Sequence, residues 1–157
     1  MFQFFKPKPT DFVAPMSGTL IPLHKVRDQV FSSKSMGDGF AIELSEGTVV
    51  SPVDGEIILV FPTKHAIGVL GEDKNEYLVH VGLDTVYLQG EGFQVHVEVG
   101  TKVKKGDPLL TIDLPLMKSK NIDLTSPILI TNLEGRGIKL LKKGEVKQGD
   151  KDIIQID

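Results

Sequence analysis

Sixteen glycines and nine prolines are spread through this chain so evenly that a long helix has almost nowhere to form. Between them lie short segments rich in Val, Ile, Leu and Phe, bounded by Gly, Pro, Asn or Asp, which is the pattern of strands joined by turns. Strands are predicted over residues 39–44, 48–50, 56–61, 66–70, 77–81, 93–97, 109–112, 128–130 and 152–156. Helical signal is confined to 116–122, with an extension to 124, between Pro115 and Pro127, and to a short 3₁₀ piece over 28–33. The fold class that follows is all-β: a compact antiparallel β-sandwich with very little helix.

Two phrases each occur twice. Ala14-Pro15-Met16-Ser17-Gly18-Thr19-Leu20-Ile21 is echoed by Ser51-Pro52-Val53-Asp54-Gly55-Glu56-Ile57-Ile58. Val103-Lys104-Lys105-Gly106-Asp107 is echoed by Val146-Lys147-Gln148-Gly149-Asp150. Each reads as a turn that feeds a strand, so the pair of pairs predicts a duplicated architecture, with too few copies for a solenoid. Pro7 and Pro9 disfavour a helix running into the domain, so residues 1–12 are expected to be a flexible arm before a single domain over 13–157.

The composition is ordinary for a globular protein: 40% hydrophobic, 25% charged and a formal net charge of -3. That charge gives no reason to expect nucleic acid as a partner. Without cysteine there is no disulfide, no thiol nucleophile and no cysteine-ligated zinc. The amino-terminal apolar stretch is broken by Lys6 and Pro7 and is too short for a signal peptide, and no stretch approaches a membrane span. A cytoplasmic, free-standing, monomeric protein is the expectation.

Chemistry is most concentrated over residues 61–85, where His65 and His80 lie on either side of a polar turn at 71–75. If that turn closes a hairpin, the strand bearing His80 returns past Thr63 and His65, and two imidazoles share one surface. At this point structural service and chemistry are equal readings of the pair. A metal site would need further ligands, and neither a His-x-His nor a cysteine is present; Asp84 is the one nearby candidate. No Gly-x-Ser-x-Gly elbow marks a serine nucleophile. Phosphoryl transfer through histidine fits better, because a neutral imidazole is nucleophilic near neutral pH and a second imidazole can bond to phosphoryl oxygens. Thr63, two residues before His65 on an extended strand, would hydrogen-bond its ring; the alternative is an ordinary exposed threonine. Asp84 either faces a basic partner or caps the turn at Thr85. Gly82 lets a bulky group approach the backbone. Asp28 with Val30, Phe31 and Met36 mixes apolar side chains with a carboxylate, either as docking surface or as a loop tucked on the core. His96, on the polar face of its strand, and His24 are expected to be surface residues.

These residues fall into recognisable strings. Phe61-Pro62-Thr63-Lys64-His65-Ala66, Val79-His80-Val81-Gly82-Leu83-Asp84-Thr85-Val86 and Leu88-Gln89-Gly90-Glu91-Gly92-Phe93 resemble the glucose-type enzyme IIA domain of the bacterial sugar phosphotransferase system. Ala14–Gly18, Gly37–Gly39, Ser51–Gly55 and Leu114-Pro115-Leu116 extend the likeness from about residue 13 to 156.

The resemblance implies a duplicated hybrid-motif β-sandwich. It implies a phosphocarrier that takes a phosphoryl group from the protein HPr and passes it to a cysteine on the IIB domain of a sugar permease, so that contact with a membrane is made only through that permease. By motif, His80 carries the phosphoryl group on its outer ring nitrogen, His65 contacts the group, and Thr63 orients His65. Gly82 and Asp84 form the rim, while Asp28, Val30, Phe31, Met36, Phe61 and Leu78 fall where the family docks its partners. Leu78 replaces a frequent aromatic, and Ser35 interrupts an otherwise apolar rim. No resident cofactor is implied. In some bacteria the family also acts as a regulatory module that docks target proteins on the histidine face, with His65 and His80 sharing an intermolecular zinc with a partner's carboxylate. A zinc peptidase of the related duplicated-β kind is excluded by the missing His-x-His.

Overall fold

The structure, a computed structural model, describes residues 11–157. Its chain order is β1 (Gly18–Pro22), α1 (Gln29–Ser32), β2 (Asp38–Leu44), β3 (Thr48–Val50), β4 (Gly55–Val60), β5 (Ala66–Gly71) and β6 (Glu76–His80). There follow β7 (Phe93–Val95), β8 (Lys102–Val103), β9 (Pro108–Ile112), α2 (Leu114–Ser119), β10 (Thr125–Ile130), β11 (Ile138–Leu140), β12 (Gly144–Val146) and β13 (Ile154–Ile156). An eight-stranded sheet runs β12-β1-β2-β10-β6-β5-β4-β8, and smaller sheets of β3-β9-β7 and β11-β13 share its core. Every pairing is antiparallel, as expected for the sandwich.

The repeated phrases explain the strand order. Gly18 pairs with Val146 and Leu44; Gly55 pairs with Val103 and Gly71. Both glycines open a strand where a Cβ would run into a neighbouring carbonyl, that of Glu43 for Gly18 and of Leu70 for Gly55. The second phrase locks onto the first in each half. Asp107 and Asp150 accept from the amides of Lys104 and Lys147, each at 2.9 Å, closing the two turns. Gly106 donates to Ser51 O at 2.8 Å, and Gly149 to Ala14 O at 2.9 Å. The large sheet is therefore two four-stranded halves, β12-β1-β2-β10 and β8-β4-β5-β6, joined at a central pair where Val79 faces Ile128. Carrying one half onto the other by these registers places His80 on Leu129, Ala66 on Gly39 and Tyr77 on Ser126.

Alternation along the central strands makes two apolar layers. Phe40, Ile42, Tyr77, Val79, Ile128 and Ile130 point into the main core. Their neighbours Ala41, Leu78 and Leu129 point the other way, into a smaller cluster with Leu23, Val26, Phe31, Ala66 and Leu83. This second layer carries the histidines.

Several boundaries differ from expectation. The arm through residue 10 lies outside the described residues, but Phe12, assigned to the arm, is core: its ring stands edge-on to Phe40 at 5.8 Å and against Tyr77 at 5.6 Å. α2 begins two residues early, since Asp113 caps it through the amide of Leu116 at 3.1 Å and Pro115 sits in the first turn, where no amide donor is needed. The 28–33 piece is a single α turn capped by Asp28, which accepts from the amide of Val30 at 2.9 Å. β7 stops at Val95 and β13 starts at Ile154. β8, β11 and β12 are strands of two or three residues, too short for alternation to signal them.

Candidate functional site

His65 immediately precedes β5 and His80 ends β6, and the register Ala66–His80 together with a 2.7 Å bond from Val81 N to His65 O brings the two side by side. The turn between the strands closes where the polar residues 71–75 predicted it. The imidazole centroids are 4.8 Å apart with the rings nearly perpendicular, at 80°. His65 is buried and His80 half-buried.

Each ring is held by one polar contact and one aromatic wall. His80 Nδ1 lies 2.9 Å from the carbonyl of Gly82, and because a carbonyl only accepts, Nδ1 carries the proton. Its Nε2 then keeps an in-plane lone pair. Phe31 packs on His80 at 4.9 Å between centroids, and Phe61 stands edge-on to His65 at 5.3 Å. His65 Nδ1 lies 2.8 Å from Thr63 Oγ1; when that hydroxyl donates, the proton of His65 sits on Nε2 and can be offered to an anion. The Thr63 contact is the expected one, reached by an unexpected route. Residues 62–65 form a turn, with Lys64 left-handed at φ 66°, and the strand begins only at Ala66. The hydroxyl therefore reaches the ring around a turn rather than along one face of a strand.

Burial, followed by the neighbouring His65, pulls the pKa of His80 down to about 4 from an ordinary 6.5; burial also lowers His65. Both rings are neutral at neutral pH. Because folded His80 takes up its proton at lower pH than the unfolded chain, the unfolded state binds more protons between about 6.5 and 4, and stability falls as pH falls through that window. At about 1.4 kcal/mol per pKa unit, His80 contributes at most about 3 kcal/mol of this loss. Urea unfolding at pH 7 and pH 4.5 should therefore show a smaller acid destabilisation for His80→Gln than for the unaltered chain. Equal losses would contradict the shift.

The surrounding rim is only partly the one expected. Val30 (50% exposed), Met36 (40%) and half-buried Phe61 present apolar surface. Phe31 (6%) and Leu78 (5%) offer little surface, and both belong to the cluster beneath the rings. Leu78 projects into that layer by strand alternation, so it supports the site from below. Asp28 is half-buried and occupied in capping α1. Asp84 is exposed in a left-handed conformation at φ 59°, makes no side-chain capping bond to the following turn, and lies 3.9 Å from Arg27. Gly82, at φ 75°, is buried, so it shapes the floor rather than the rim. His24 and His96 are exposed, as expected.

Five residues around the site lie outside the expected set: Arg27, Asp123, Ser126, Thr85 and Tyr87. Arg27 donates to Asp123 at 2.7 Å, Ser126 accepts from the amide of Gly82 at 3.0 Å, and Thr85 donates to Val81 O at 2.6 Å. Tyr87, 81% exposed, lies on the turn that follows Asp84. Asp123-Leu124-Thr125 does carry a local signal, since an aspartate often accepts from the amide two residues on, as it does here at 2.9 Å. Among the described residues no group of three or more His, Cys, Asp or Glu side chains is gathered for a metal ion, and no helix is long and apolar enough to cross a membrane.

Fold and site together define an all-β protein that displays two neutral imidazoles on an apolar face, one with a bare ring nitrogen, an arrangement able to hold a phosphoryl group on nitrogen. The profile of the phosphoenolpyruvate-dependent sugar phosphotransferase system, EIIA 1 family matches residues 10–135, and the chain belongs to that family. It is thus a phosphoryl-transferring component of a sugar phosphotransferase system. The glucose-specific EIIA component of Oceanobacillus iheyensis is 47% identical over 152 residues, spanning 96% of this chain and 92% of the relative. Glucose permease IIA from Mycoplasma capricolum superposes with a TM-score of 0.87 at 42% identity, covering 98% and 99% of the two chains. The glucosamine-specific EIICBA component of Bacillus subtilis is 50% identical over 128 residues, 82% of this chain but only 20% of that longer protein.

Proposed function

We propose that this protein is the phosphocarrier that accepts a phosphoryl group from phospho-HPr on Nε2 of His80 and delivers it to a cysteine of the IIB domain of a glucose-type permease. The observation that carries the assignment to His80 is the bond from its Nδ1 to Gly82 O, which leaves Nε2 as the free nucleophile. In the transfer the Nε2 lone pair forms the bond to phosphorus as the donor's bond to phosphorus breaks; the second transfer reverses these roles with the acceptor sulfur. His65, through Nε2–H, bonds to a phosphoryl oxygen and stabilises the charge spread over the transferring group. Thr63 holds the His65 ring in that tautomer. Val30, Met36 and Phe61 receive each partner in turn and exclude the water that would hydrolyse the phosphohistidine. The EIICBA relatives, in which a stretch like this chain is one fifth of a longer protein, support a permease domain as the acceptor.

The test is phosphotransfer from labelled phosphoenolpyruvate through enzyme I and HPr, and on to a IIB domain. The protein should acquire acid-labile, base-stable label. His65→Gln should still be labelled but pass the group to IIB about 100-fold more slowly, a loss typical of removing one transition-state donor. No label on the unaltered chain would sink the carrier reading, and rapid onward transfer by His65→Gln would remove His65 from it.

Two neutral imidazoles side by side also favour a second use of the same face, as a regulatory module that docks target proteins while unphosphorylated. The pair would supply two nitrogen ligands only with the His65 proton moved to Nδ1, where Thr63 Oγ1 can accept it; a zinc held there in such a complex would take its remaining ligands from the partner's carboxylate and from water.

A further inference from the structure

The Gly82 carbonyl decides which nitrogen of His80 is free, so whatever holds that carbonyl controls the nucleophile. Its peptide unit is gripped from behind: the Leu83 amide, in the same unit, donates to Asp123 O at 3.0 Å. The preceding amide, Gly82 N–H, donates to Ser126 Oγ at 3.0 Å, and the Ser126 hydroxyl donates onward to Leu124 O at 2.9 Å. Ser126 is completely buried, on β10, 44 residues from its partner. We propose that Ser126 is a positioning residue for phosphoryl transfer: with the main chain at Asp123 it forms a brace that sets the Gly82–Leu83 turn and so keeps His80 in the Nδ1–H tautomer.

Three observations separate this from ordinary core service. The sandwich itself does not need a brace here, because the position that corresponds to Ser126 in the other half is Tyr77, whose ring fills the main core and whose hydroxyl donates to the Asp73 carboxylate at 2.6 Å, with no main-chain amide held by it. The residue that corresponds to His80 is Leu129, so the duplication departs from its own pattern at the nucleophile and again at its brace. Finally, the turn being braced is one that cannot be relied on to hold itself. Gly82 sits at φ 75°, where glycine alone is free of strain, and a glycine left unsupported samples other conformations readily.

The proposal rests on His80 as the phosphoryl acceptor, and its test is chosen to be separable from that reading. The tautomer of His80 is read by nitrogen NMR on the unphosphorylated protein, for the unaltered chain, Ser126→Ala, and the isosteric pair Ser126→Thr and Ser126→Val. The pair adds the same volume and differs in the hydroxyl. Ser51→Ala serves as control, since Ser51 is equally buried and bonds Val53 O at 2.7 Å in the scaffold. Ser126→Thr should keep a single Nδ1–H tautomer. Ser126→Val and Ser126→Ala should show a mixture, with phosphoryl uptake slowed about tenfold, the scale expected when a reacting group loses its fixed orientation. Ser51→Ala should lose stability without altering the tautomer. An unchanged tautomer in Ser126→Val, equal perturbation by Thr and Val, or an equal change in Ser51→Ala would each overturn the brace. If the unaltered chain takes up no phosphate, the carrier reading fails, while the tautomer comparison still decides the role of Ser126.

Discussion

His80→Gln is expected to take up no phosphoryl group at all from phospho-HPr, whatever the time or donor concentration. Glutamine keeps a polar side chain of similar reach but has no nitrogen lone pair that can attack phosphorus, because its amide nitrogen is delocalised. Nor can His65 take over. Its Nδ1 is engaged by Thr63, and its buried ring is enclosed by Phe61 and His80, whereas Nε2 of His80 is free on a half-exposed ring. The loss should exceed a thousandfold, the effect of deleting a nucleophile rather than a helper. The fold should survive, since His80 is half-buried, glutamine has similar reach, and loss of an imidazole with a strongly lowered pKa removes an acid liability. Circular dichroism and urea unfolding at pH 7 should therefore match the unaltered chain while labelling is absent. Persistent labelling of His80→Gln would place the acceptor elsewhere.

Gly82→Ala should lower stability markedly, through one added methyl beside the nucleophile. The new Cβ would lie 2.6 Å from Thr85 Cγ2 and 3.0 Å from Asp123 O, and Asp123 O is main chain that already accepts from Leu83. Thr85 is fully buried and tied to Val81 O, so neither neighbour can swing aside cheaply. A left-handed non-glycine residue costs about 1–2 kcal/mol, and overpacking against fixed atoms adds about 1–3 kcal/mol. The sum, about 2–5 kcal/mol, is a large part of the 5–15 kcal/mol that holds a typical domain together. In a chain of this length that corresponds to a fall in Tm of roughly 5–20 °C. Relief of the clash would also turn the Gly82 carbonyl away from His80, so phosphoryl uptake per folded molecule should drop with it. A shift in Tm of only a degree or two would mean that the turn is more pliant than its contacts indicate.

The strands, the duplication and the histidine pair were all legible in the sequence, and for physical reasons. Strand alternation has a period of two wherever one face is buried, so Tyr77-Leu78-Val79-His80 already sends Tyr77 and Val79 one way and Leu78 and His80 the other. A tight turn announces itself through residues that tolerate its dihedrals, so 71–75 closed the hairpin as expected. The two repeated phrases were visible as strings, because each half needs the same glycine at the same close crossing of strands.

Only the tertiary structure decided how the halves meet, which residues brace the nucleophile, and which rim residues are truly at the surface. Ser126 and Gly82 are 44 positions apart, and nothing in the local pattern of a serine before a proline reveals a partner in a distant turn. The two prolines before it group Phe12 with the arm, yet it packs against both Phe40 and Tyr77. Phe31 by its chemistry and Leu78 by the family resemblance look like docking residues, but burial is a property of what packs above them. Local sequence determines dihedrals and faces, since those depend on neighbours along the chain; it leaves open the contacts between faces, which depend on how distant segments close on one another.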